Sequence, residues 1–75
     1  MRKDKRTAGM KMSPIGELMI QSDITQAQLA KELDVVQYTV FKWIWGLSLP
    51  NGYSTIKLAK YFNVSADYIL GLKEK

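Results

Sequence analysis

The stretch Val35-Val36-Gln37-Tyr38-Thr39-Val40-Phe41-Lys42-Trp43-Ile44-Trp45-Gly46-Leu47-Ser48-Leu49-Pro50 reads as one short helix. Gly46 closes it, and Pro50 keeps the following loop from resuming helix. Val40, Trp43 and Ile44 recur at i, i+3 and i+4, the stripe by which an amphipathic helix faces a core. Tyr38, Phe41 and Trp45, also at helical spacing, line a second face, which Leu47 and Leu49 continue into the loop. The polar residues of the helix are Gln37, Thr39 and Lys42. A helix apolar on both sides is buried on both sides. A chain of 75 residues has core enough for one side only, so the second face is expected to meet a partner.

Upstream, Ser13-Pro14 has the form of a helix start, a hydroxyl cap followed by a ring that fixes φ. The first helix is expected to run to about Ser22, with Ile15, Leu18 and Met19 inward. Thr25-Gln26-Ala27-Gln28 opens a second helix as a capping box, whose inner face is Leu29, Ala30 and Leu33. The small Ala30 lets the next helix cross closely. Asp34 and Val35 make the tight turn into the third helix, which starts poorly: Val36 stands where a Ser, Thr, Asp or Asn cap belongs. Such a loss costs about 1 kcal/mol.

Downstream, Asn51-Gly52 is expected as a turn and Ser54 as the cap of a fourth helix with Ile56, Leu58, Ala59 and Phe62 inward. Asn63 suits a left-handed position after that helix. Ser65 caps a last short helix with Asp67 in its first turn, Tyr68, Ile69 and Leu70 packing back, and Gly71 at its end. The fold expected is all-α, with five short helices and no strand.

Cysteine and histidine are both absent. There is then no disulfide framework or thiolate metal site, and the commonest general base and zinc ligand are missing too. With no paired carboxylates at working spacing either, an enzyme is not expected, nor a cofactor, a metal or a small-molecule substrate. No apolar run is long enough for a membrane span or a secretory leader, so a cytoplasmic location is expected. The formal charge of +4 is unevenly placed. Arg2, Lys3, Lys5, Arg6 and Lys11 face Asp4 alone in the first twelve residues. From Ser13 onward Lys31, Lys42, Lys57, Lys60, Lys73 and Lys75 are balanced by Glu17, Asp23, Glu32, Asp34, Asp67 and Glu74. Residues 1–12, without periodicity, are expected as a disordered basic tail, and residues 13–75 as one domain.

The run Ile24-Thr25-Gln26-Ala27-Gln28-Leu29-Ala30-Lys31-Glu32-Leu33 is joined by Val35, Val40, Trp43, Gly46, Pro50 and Leu58-Ala59. With Asn63-Val64-Ser65-Ala66-Asp67-Tyr68-Ile69-Leu70-Gly71, this pattern resembles the Cro/C1-type helix-turn-helix repressor family. The resemblance covers Ser13 to about Gly71. It implies that the third helix enters the major groove and that a homodimer reads two half-sites of duplex DNA. It also implies that Gln26 and Gln37 grip phosphate and adenine edges, with Thr39 and Lys42 as further contacts.

Where the family usually carries small or polar residues, this chain has Val36, Phe41, Trp45 and Leu47. Of the base edges, only thymine offers an apolar partner, its methyl group. Towards phosphate, Trp45 and Leu47 have nothing but backbone N–H. Clustered exposed aromatics are what protein-binding hot spots are made of. Burying Phe41, Trp45, Leu47 and Leu49 could contribute roughly 1.5–3 kcal/mol each before association costs. Read this way, Val36, Tyr38, Phe41, Trp45, Leu47 and Leu49 dock a partner protein on a helix-turn-helix scaffold, as in an engineered binder. Truncating Trp45 should then spare the fold. This is the function the sequence favours, and the alternative is a sequence-specific DNA-binding repressor using Gln26, Gln37, Thr39 and Lys42.

Overall fold

The computed structural model describes residues 11–72. Among them are five helices and no strand: α1 (Pro14–Gln21), α2 (Gln26–Leu33), α3 (Gln37–Ile44), α4 (Gly52–Phe62) and α5 (Ala66–Ile69). The all-α, five-helix expectation is met. The basic residues 1–10 lie outside the described residues. Met12, assigned to the tail, is half-buried and packs against the core. Its side chain occupies the space that a Cβ on the buried Gly16 would need.

One core joins the helices. Ile15, Leu18 and Met19 of α1, Leu29, Ala30 and Leu33 of α2, Val40, Trp43 and Ile44 of α3, Leu58 of α4, and Tyr68 and Ile69 of α5 are buried in a single cluster. Ala30, Val40 and Trp43 are buried where α2 meets α3.

Each helix ends the same way. Asp23, Asp34, Gly46, Asn63 and Gly71 adopt left-handed φ angles of 55°, 57°, 69°, 57° and 76°. Each is followed by a residue whose N–H reaches back to a carbonyl of the last turn: Ile24 to Met19, Val35 to Ala30, Leu47 to Lys42, Val64 to Ala59 and Leu72 to Asp67, at 2.9–3.1 Å. This doubly bonded closure satisfies carbonyls that a helix end otherwise orphans. Asp and Asn tolerate the left-handed region better than other side-chain-bearing residues. The residue after the turn is apolar every time. Ile24, Val35 and Val64 pack on the core, whereas Leu47 and Leu72 remain 48% and 75% exposed.

The helix starts depart from expectation at two places. Ser13 does not cap α1. Its hydroxyl donates instead to the Trp43 carbonyl at 2.7 Å and its amide to the Ile44 carbonyl at 2.7 Å. Both Ser13 groups thus tie the start of α1 to the C-terminal end of α3. The start of α4 is also earlier than expected. Asn51 is its cap, accepting from the Ser54 amide at 2.8 Å, and Ser54 is a buried first-turn residue. The Thr55 hydroxyl donates to the carbonyl of buried Pro50 at 3.4 Å, turning Thr55 inward. Ile56, one step further round, is therefore 53% exposed rather than inward. The capping box at Thr25 and Gln28 and the Ser65 cap are formed as expected.

Ser13→Ala should lower stability by about 1 kcal/mol, since it leaves the Trp43 carbonyl without its hydroxyl donor. For a domain this small that is a fall of about 4–8 °C in melting temperature. A circular-dichroism melt unchanged from wild type would show that the hydroxyl bond between Ser13 and Trp43 contributes nothing to stability.

Candidate nucleic-acid interface

α3 begins without a side-chain cap: Val36 is extended, is 68% exposed and makes no capping hydrogen bond. The helix has eight residues, and every buried one belongs to the stripe Val40, Trp43 and Ile44. Burial of this stripe against α1 and α2 fixes the rotation of α3 about its axis. What remains outward is set by the same rotation: Gln37 and Tyr38 are exposed, while Phe41 and Lys42 are half-exposed.

The outward side chains are organised among themselves. The Tyr38 and Phe41 rings stack at 5.8 Å with 15° between their planes. The Lys42 ammonium stands 5.5 Å from the centre of the Tyr38 ring. These residues are one turn apart, the spacing at which helix side chains meet. A cation over an aromatic face is stabilised by about 0.5–1 kcal/mol at exposed sites.

The residues expected to bind protein are split by the structure. Val36, Tyr38, Leu47 and Leu49 are exposed, Leu49 to 70%. Phe41 is half-buried beside Tyr38, and Trp45 is half-buried and packed against the core. Trp45 is therefore partly a core residue, contrary to the expectation that truncating it spares the fold. It follows the last helical residue as the α3 cap, and there its large side chain reaches back to the cluster. Nor do Trp45 and Leu47 present backbone N–H groups to a phosphate. The Trp45 amide donates to the Phe41 carbonyl at 3.3 Å and the Leu47 amide to the Lys42 carbonyl at 2.9 Å.

Of the residues expected to bind DNA, Gln37 and Lys42 stand on the outer side of α3. Thr39 is half-buried at the edge of the inner stripe, and Gln26 is half-exposed as the first residue of α2. Outside this face, Tyr53 is 70% exposed at the start of α4 with the Lys57 ammonium 5.0 Å from its ring centre. The i, i+4 spacing of the tyrosine and lysine allows that contact. Among the described residues, no group of His, Cys, Asp or Glu is arranged to hold a metal. Nor is any helix long and apolar enough to cross a membrane.

A helix-turn-helix family model matches residues 15–69. No curated protein and no solved structure gives a significant match.

Two substitutions on this helix should move stability in opposite directions. Val36→Ser installs the missing cap and should raise it by about 1 kcal/mol. Trp45→Ala removes a side chain packed on the core and should lower it by on the order of 2 kcal/mol, below the figure for a fully buried tryptophan. Thermal or urea melts of the two variants measure both, and a neutral Trp45→Ala would return that residue to the free surface.

Proposed function

The chain belongs to the Cro/C1-type helix-turn-helix family, matched over residues 15–69, and from that premise we propose that it binds duplex DNA sequence-specifically as a transcriptional regulator. The observation that carries this reading is the orientation of α3. Its apolar stripe is consumed by the core, and its first helical residue, Gln37, is exposed. A glutamine amide can bond adenine N6 and N7 together in the major groove. Lys42 and Thr39 would add contacts beside it, and Gln26 at the start of α2 would meet phosphate. Two copies on half-sites one helical turn apart are the arrangement such a domain uses.

The described body is nearly neutral, so affinity depends on where the positive charge lies. Four of the eleven basic residues, Arg2, Lys3, Lys5 and Arg6, fall within residues 1–10. Phosphate neutralisation supplies most nonspecific affinity, and the salt slope is about −0.9 per phosphate contacted.

A second reading, docking of a partner protein, is favoured by the exposure of Leu47 and Leu49 beyond the end of α3, 48% and 70%. It draws on the surface expected of an engineered binder. It is weakened by Trp45, which packs on the core and is no free anchor.

Fluorescence anisotropy against random duplexes at low salt, followed by selection of the preferred sequence, tests the proposal. Gln37→Ala should cost about 1–3 kcal/mol at the selected site while leaving the melting temperature unchanged. Removing residues 1–10 should weaken binding to all sequences alike and flatten the salt dependence. Full affinity in the Gln37→Ala protein would contradict the assigned role. Absence of salt-sensitive duplex binding by the full chain would turn the assignment to a protein partner.

A further inference from the structure

We propose, resting on the DNA-binding reading above, that the outer face of α3 selects A·T-rich sequence by packing Val36, Tyr38 and Phe41 on thymine C5-methyl groups. Gln37 supplies the amide contact to adenine. The surface residues at the start of α3 are mostly apolar: Val36 is 68% and Tyr38 53% exposed. Phe41, half-exposed, lies one turn further on and is stacked against Tyr38 at 5.8 Å. A pair of rings held nearly parallel is a preformed apolar platform, so little side-chain freedom is left to lose on binding.

The chemistry of the groove decides what such a platform can meet. Guanine shows N7 and O6, both acceptors, and cytosine shows an amino donor. An apolar side chain covering either strands a desolvated polar group, which weakens binding. The side chains that do read guanine are Arg and Lys. α3 has no arginine, and the ammonium of Lys42 is drawn to within 5.5 Å of the Tyr38 ring centre. Thymine is the base whose major-groove edge carries a methyl group, and its partner adenine offers the N6/N7 pair that fits the amide of Gln37. Three residues of helix advance about 4.5 Å, against about 3.4 Å per base step. Tyr38 and Phe41 can therefore address neighbouring base pairs.

The test uses the full chain and the duplex it selects from a random pool. Thymines of each half-site are replaced one at a time by deoxyuridine, which pairs identically and lacks the methyl. At two or more positions the Kd should rise about fourfold, the equivalent of about 0.8 kcal/mol for one buried carbon. At the position facing Tyr38, the Tyr38→Ser protein, altered at an exposed site, should bind the thymine and uracil duplexes equally. A melt confirms that this variant is folded. A selected site rich in G·C, or equal affinity for thymine and uracil at every position, would overturn the methyl assignment and leave DNA binding itself standing. Failure to select any duplex would overturn the DNA reading and the inference together.

Discussion

The burial of one stripe on α3 governs the rest of the molecule. Val40 has no exposed surface, and Trp43 and Ile44 retain only 4% and 5% of theirs. Rotating α3 would expose three large side chains, each worth about 1.5–3 kcal/mol when buried, in a domain whose net stability is itself only a few kcal/mol. The ends of the helix are held as firmly as its middle. Left-handed Asp34 sets the approach from α2, and Ser13 clamps the Trp43 and Ile44 carbonyls from α1. The residues that face outward follow from this constraint.

That outward face combines two properties. It carries an exposed glutamine at the first helical position, and it is otherwise largely apolar, organised by Tyr38, Phe41 and Lys42 acting on one another. Part of the apolar character read from the sequence is spent inside the domain, because Trp45 packs on the core. What is left is smaller than a protein-binding hot spot built on Trp45 would be, and under the proposed function it would present the Gln37 amide to an A·T pair. A serine in place of the exposed Val36 would be more stabilising to the helix but would replace an apolar side chain on this face with a polar one.

Much of the fold was legible because local signals agreed. The capping box at Thr25, the stripe Val40, Trp43 and Ile44, the glycine after α3 and the asparagine after α4 each have a single structural meaning, and all appear as read. What was not legible depended on partners distant in sequence. Ser13 looks like a cap until α3, 30 residues away, offers it two carbonyls. Ile56 looks inward until Thr55 is turned to Pro50. Trp45 looks exposed on a helical wheel, yet its side chain is large enough to reach back to the core from the first residue past the helix. Asp23 and Asp34 carry weaker left-handed signals than glycine, and only the geometry shows them doing at two helix ends what Gly46 and Gly71 do at two others. At the candidate site, the sequence suggested residues, but their division into outward and half-buried ones came from packing.

The central claim is that the outer face of α3, fixed by its buried stripe, is the surface that meets DNA. Amide chemical shifts of the labelled full chain, followed during titration with its selected duplex, test this most directly. The account predicts perturbations concentrated at Val36 to Lys42 and at Gln26, with Leu29, Leu58 and Ile69 in the core unmoved. Shifts confined to α4 and α5, or none on α3 at saturating duplex, would contradict it.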